Sequence, residues 1–272
     1  MHFLLFAVVC SVLVSVLLKL LPRYRLDAAQ AITWNYATAA LLAWLTLHPS
    51  LDTLRAPTTP WLALFALAVA LPSIFMLLAR AVATAGIVRT DIAQRLSLLL
   101  SLAAAFTLFG EPVNGWKLAG LGLGLLAIVC ILQRGVWLGF ACQIDLLLKH
   151  IAQAGTPSLT SLTLCFALAG VLMLGLQVVR RGGVARLSFR NLLAGVLLGA
   201  LNFGNILCYV RAHQLLPHSP ATVFASMNLG VVILGALVGK LAFGERIGRR
   251  GWVGLLLAAP AIAAIAWGMR SG

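Results

Sequence analysis

Residues 98–111 read LLLSLAAAFTLFGE, and residues 232–245 read VILGALVGKLAFGE. Each is an apolar run closed by the same three residues, Phe109-Gly110-Glu111 in one case and Phe243-Gly244-Glu245 in the other. Gly120 lies nine residues beyond Glu111, and Gly254 lies nine beyond Glu245. The echo extends outward. Lys19 ends Ser15-Val16-Leu17-Leu18-Lys19 and Lys149 ends Asp145-Leu146-Leu147-Leu148-Lys149, while Arg80-Ala81 is matched by Arg211-Ala212. The offsets, 130 (19 to 149), 131 (80 to 211) and 134 (111 to 245), stay nearly constant, as a duplication with small insertions would leave them.

The composition says what solvent these runs meet. Of 272 residues, 62% are hydrophobic and 10% charged, and the mean hydropathy is +1.03. A soluble domain carries about 25% charged residues and about 45–50% apolar ones, so most of this chain is matched to lipid. A helix needs about 20 apolar residues to cross the hydrocarbon core. Runs of that kind cover 2–22, 29–48, 60–80, 85–109 and 114–133, then 136–154, 157–180, 190–210, 218–243 and 250–268. Short turns holding Pro49, Pro57, Pro60, Pro157, Gly182 and Gly183 separate several of them. The first run has no basic leader and no clear small-residue cleavage site, so it reads as a retained span and not a signal peptide.

Ten runs split by the repeat give five spans per half, residues 1–134 and 135–272. Five is odd, so the second half enters the membrane inverted relative to the first. The expected fold is an all-α integral membrane protein of ten transmembrane helices in two inverted five-helix repeats. Inverted repeats of this kind build alternating-access transporters, with the substrate held where the repeats meet.

On the duplication and the twin FGE…G signatures, the whole chain resembles the drug/metabolite transporter superfamily, the ten-helix EamA-type permeases. The resemblance implies export or exchange of a substrate, often linked to protons, through a central cavity lined by spans of both halves. It implies no particular substrate.

The net charge of +14 would suggest nucleic acid in a soluble protein. Here the cations sit mostly between apolar runs, where they set topology. Loops after odd-numbered runs carry Arg23, Arg25, Arg80, Arg134, Arg180, Arg181, Arg186, Arg190, Arg246, Arg249 and Arg250. Those after even-numbered runs, with the tail, carry Arg55, Lys117, Arg211 and Arg270. This bias places the odd loops in the cytoplasm of a cell (inner) membrane protein and both termini outside. The resemblance implies the opposite placement of the termini.

Ionisable groups inside a span cost roughly 2.5–3.5 kcal/mol each and are functional candidates by default. The candidates are Lys19, Arg89, Asp91, Arg95, Asp145, Lys149 and Lys240. Asp91 and Arg95 are four apart, share a helical face with Gln94 beside them, and can pair. One reading makes this a polar substrate site, with Arg95 holding an anionic group and Asp91 accepting a proton. The other makes it an internal salt bridge, and a third puts Arg89 and Asp91 near the membrane surface. Asp145 and Lys149 are likewise four apart, as a proton-coupling carboxylate with a substrate-binding lysine or as a structural pair. Lys19 and Lys149 point into one cavity or snorkel to headgroups. An Asn in a span needs a partner, either a helix or a substrate, which adds Asn35, Asn205 and Asn228 to the substrate-binding set. Trp34 and Tyr36 beside Asn35 also suit an interfacial belt. Glu111 and Glu245 are expected to cap the helices that follow them. Gly115, Gly120, Gly122 and Gly124 offer a face for close helix packing, and Gly254 is the counterpart of Gly120. Pro72 and Pro260 are places where helices could kink.

No metal and no cofactor is expected. Cys10, Cys130, Cys142, Cys165 and Cys208 have no CxxC spacing, and His2, His48, His150, His213 and His218 make no HExxH. No GxxxxGK[ST] is present to hold a nucleotide. Asp91 in TDIA and Asp145 in QIDL lack a GxGD setting, so an enzyme is not expected. The leading function is a secondary transporter, an exporter or exchanger. Cations outnumber Asp91 and Asp145 in the spans, which favours a small polar, anionic or zwitterionic metabolite. A flippase for a lipid-linked or amphipathic substrate is the alternative. The partners expected are the bilayer and a small-molecule substrate, not nucleic acid, and the oligomeric state is left open, with a monomer as one reading.

Overall fold

The computed structural model describes residues 2–49, 61–91, 94, 115–131, 158–179, 187–215, 220–245 and 249–270. The helices are α1 (His2–Arg23), α2 (Ala28–Leu47), α3 (Trp61–Ala85), α4 (Gly115–Ile131), α5 (Ser158–Val179), α6 (Phe189–Leu215), α7 (Pro220–Phe243) and α8 (Arg249–Arg270). Residues 87–91 form a further helical segment. Among the described residues there is no strand. An all-helical chain follows from lipid as solvent, because a helix satisfies its own backbone groups where water cannot. Among the described residues, five segments are long and apolar enough to cross a membrane: His2–Arg23, Trp61–Ala85, Thr160–Val179, Phe189–Ala212 and Ser226–Phe243. Their outward faces are apolar, with Phe6, Phe65, Val179, Leu197 and Leu241 all exposed.

Local chemistry sets the helix ends. At the end of α1 the amide of Leu26 donates to the carbonyl of Leu21 (2.9 Å) and that of Arg25 to Pro22 (3.1 Å). Arg25 takes φ 55° there, in the left-handed turn that commonly closes a helix. Asp27 caps α2, its carboxylate accepting from the amide of Ala29 at 2.9 Å, a device worth about 0.5–2 kcal/mol. The run expected over 60–80 is longer, because α3 continues through Arg80 to Ala85. It stops at Gly86, whose φ of 91° is open to glycine and strained for other residues.

The chain forms two compact units. The first comprises Met1–Val16, Ala81–Cys142 and Gly204–Gly272, the second Leu17–Arg80 and Gln143–Phe203. In the first unit α4 packs along α8, and α8 along α7. The start of α1 meets α7 through Ala7, Val8, Val12, Met227 and Val231. Of the glycines expected to line a packing face, Gly120 and Gly124 are buried, whereas Gly115 and Gly122 face open space. In the second unit α2 runs along α5. Tyr36 sits at its centre, its ring 5.8 Å from Phe75 and 6.0 Å from Phe166. Ala63, Leu64, Leu67 and Cys165 form the apolar contact of α3 with α5. Close approach of α6 to α2 depends on missing side chains. A Cβ on Gly199 would stand 2.6 Å from the carbonyl oxygen of Asn35 and 2.7 Å from Cβ of Thr38.

Gly199→Leu is therefore expected to lower the unfolding free energy by about 1–3 kcal/mol. Gly122→Leu, made where nothing lies within 4 Å, is expected to melt like the parent. Thermal unfolding of both variants in detergent checks the contrast.

Candidate functional site

The first unit holds its buried polar groups around the segment that follows Gly86. Asp91 is 3% exposed, Ser15 on α1 is 4% exposed, and the Ser15 hydroxyl donates to Oδ1 of Asp91 at 2.9 Å. The opposite oxygen abuts α7, where a Cβ on Gly235 would lie 2.5 Å from Oδ2. Thr90 is buried too, and its hydroxyl donates to the carbonyl of Gly86 at 2.7 Å. The start of the segment is held from the far end of α7. Glu245 accepts from the amide of Ile87 (2.8 Å, Oε1) and from that of Val88 (3.1 Å, Oε2). A carboxylate across two unpaired N–H groups at a helix N-terminus is a charge-assisted cap.

Glu245 thus caps the segment that begins at Gly86, a partner the sequence did not indicate. The cause is the backbone at Gly244, which takes φ 61°. The amide of Glu245 then turns back onto the carbonyl of Gly239 at 3.0 Å. Arg89 lies on the exposed face of the segment. Gln94 is exposed.

The second unit holds a polar seam along α2. Gln30 accepts at Oε1 from Nδ2 of Asn191 (2.7 Å) and from the amide of Ser188 (3.3 Å). The amide of Asp27 donates to Oδ1 of Asn191 at 3.1 Å. One turn on, Thr33 donates to the carbonyl of Ala29 (2.8 Å) and accepts from Nε2 of Gln177 (3.2 Å). Deeper still, Asn35 is 0% exposed and accepts at Oδ1 from Nδ2 of Asn202 at 3.3 Å. Its own Nδ2 finds no hydrogen-bond partner among the described residues, nor do Nε1 of Trp34 and the hydroxyl of Tyr36. Three consecutive residues leave a helix about 100° apart, so these groups look in three directions. Trp34 faces Gly195 of α6, and Tyr36 faces Phe75 and Phe166. A buried donor left unpaired costs about 1–3 kcal/mol. The Asn35 amide is thus an available donor for an oxygen acceptor.

The other candidates fall as follows. Asn205 and Asn228 belong to the first unit. Asn228 is buried on α7, and Oδ1 of Asn205 on α6 is buried with no partner among the described residues. Gly120 is buried in α4 and Gly254 lies in α8. Arg95, Asp145, Lys149 and Glu111 lie outside the described residues. Among the described residues no three His, Cys, Asp or Glu side chains gather as metal ligands. Sequence reasoning missed Ser15, Gln30, Gln177 and Asn191. For Ser15 a signal existed, because Ser11, Ser15 and Lys19 recur every four residues on an otherwise apolar helix.

Apolar helices long enough to span, with buried carboxylate and carboxamide groups between them, define a multi-pass membrane protein. The sequence profile of the EamA-like transporter family matches residues 1–133. An uncharacterized protein of Haemophilus influenzae is 37% identical over a 286-residue alignment that covers 96% of each chain. The chain belongs to the EamA-like transporter family, whose members are membrane transporters and not enzymes.

Replacing Glu245 leaves two buried amides without their acceptor. Glu245→Ala is expected to cost about 1–3 kcal/mol of stability, and Glu245→Gln, which keeps one neutral acceptor, clearly less. Equilibrium unfolding in detergent micelles separates the two.

Proposed function

We propose that the protein is a secondary transporter that moves a small polar, anionic or zwitterionic metabolite by alternating access. In this reading ten helices form two inverted repeats, residues 1–134 and 135–272, in the cell membrane, with odd loops cytoplasmic and both termini outside. The family profile supports the repeat, since its match ends at residue 133. A monomer suffices, with the bilayer and one small solute as its partners.

The observation that carries the substrate class is the Asn35 amide, fully buried on α2 with its donor unpaired among the described residues. Substrates with carboxylate oxygens fit a site that offers N–H groups, and a hydrogen bond to a charged acceptor is worth about 1.5–3 kcal/mol. Asn205, Asn228, Arg95 and Lys149 are further contacts for the solute in this reading, with Gln94 at the edge. Asp91 carries the coupling proton, with Asp145 as the second carboxyl able to do so. Apolar surroundings disfavour the charged form of a carboxyl, which brings proton uptake within reach of a proton-driven cycle.

Flux into proteoliposomes tests this, across a panel of amino acids, organic acids and cationic dyes, with and without a pH gradient. An anionic or zwitterionic solute is expected to move. Asn35→Leu is expected to slow it at least about tenfold, the equivalent of roughly 1.4 kcal/mol, while the protein stays folded. Asp91→Asn is expected to remove the dependence on the pH gradient. Movement of cations alone, or of lipid-linked solutes alone, would overturn the substrate class.

A further inference from the structure

The hydrogen bond between α1 and Asp91 carries an inference about how the coupling proton is held, and it rests on the proposed role of Asp91. Asp91 and Ser15 are both almost completely buried, on segments that are 76 residues apart in sequence. The carboxylate is fixed from two sides. Ser15 donates to Oδ1, and the bare backbone of Gly235 sets the wall against Oδ2. We propose that Ser15 is a positioning residue for Asp91, its hydroxyl holding the carboxyl group in both of its protonation states.

The chemistry of the hydroxyl suits that task. A serine has one O–H to donate and two lone pairs to accept with. When Asp91 is ionised, the hydroxyl donates to Oδ1, as it does in the structure. When Asp91 takes up a proton, the same hydroxyl can rotate and accept from the new carboxylic O–H. No proton stays on Ser15, and every proton that Asp91 accepts is one that it later releases. An ammonium in the same place, which only donates, would favour the charged state too strongly. Both states keep a hydrogen bond through Ser15, but the one to the charged carboxylate is the stronger, so loss of the hydroxyl favours the protonated form.

The elements that carry the pair and its wall also carry charged groups. On the segment itself Arg89 is exposed. On α1, Lys19 lies one turn past Ser15 on the same face and is half-buried. On α7, Lys240 is exposed, and Glu245 is committed to the amides of Ile87 and Val88. None of these changes when Ser15 is replaced, so a change in proton exchange would report the hydroxyl.

The test needs no known solute. The full chain is reconstituted in lipid, and the infrared carboxyl bands that disappear in Asp91→Asn are titrated with pH. Ser15→Ala is expected to raise their midpoint by about one pH unit, the difference between a hydrogen bond to a charged and to a neutral carboxyl. Ser15→Thr, which keeps a hydroxyl, is expected to restore the parent midpoint. A Ser15→Ala protein that melts like the parent and titrates like the parent overturns the inference and leaves Asp91 untouched. If Ser15→Ala does not fold, Ser15→Cys carries the same comparison, because its thiol is a weak donor and should displace the midpoint less than one unit. If Asp91→Asn removes no titrating band, the carboxyl does not exchange protons, and the coupling role of Asp91 falls together with that of Ser15.

Discussion

The amides of Ile87 and Val88 find their acceptor on Glu245, 158 and 157 residues away in sequence. The reason is the absence of water. In a soluble protein the first amides of a helix are solvated wherever they are not capped. In hydrocarbon each unsatisfied group costs several kcal/mol, so every irregularity in a spanning helix must be answered from inside the protein. Gly86 is such an irregularity. Its left-handed backbone ends α3 and starts a new helical segment, and the carboxylate that answers the exposed amides comes from the other end of the first compact unit's sequence. The same demand shapes Asp91, held by Ser15, and Gln30, held by Asn191 and Ser188.

Meeting that demand requires backbones that come close together. Between lipid-soaked helices there is little hydrophobic drive to associate, and close packing takes its place. Glycines supply the room. Gly195 and Gly199 let α6 reach the backbone of α2, which brings Asn202 within 3.3 Å of Asn35. On α7, Gly235 and Gly239 lie one turn apart and admit Asp91, Val88 and Glu245. The polar clusters and the small residues are therefore parts of one arrangement: without the second, the first could not be made without strain.

Much of this was legible in the sequence. The apolar runs and their turns anticipate where α1, α2, α4, α5, α7 and α8 begin and end to within a few residues, because hydropathy and helix length are local properties. Asp91 and Asn35 stood out because a polar atom is conspicuous in an apolar run. Ser15 did not, since a lone hydroxyl is cheap in a helix and returns a bond to its own backbone in many settings. The bonds of Glu245 to Ile87 and Val88 were not legible, because a cap is usually local and these reach across the sequence. The extension of α3 past Arg80 was missed because a cation was read as an edge, whereas its long side chain lies on the exposed face of the helix.

By itself the sequence determined the solvent, the element type and the family. Sixty-two per cent hydrophobic residues leave lipid as the only medium for these helices, and repeated FGE…G signatures mark the transporter class to which the chain belongs. Only the tertiary structure decided which polar groups meet: Ser15 with Asp91, Gln177 with Thr33, Asn202 with Asn35, Glu245 with the start of the segment at Gly86. The physical reason is that hydropathy is a sum over neighbours in the chain. A hydrogen bond is a fit of distance and direction between neighbours in space, and the glycines that permit that fit carry no side chain to announce it.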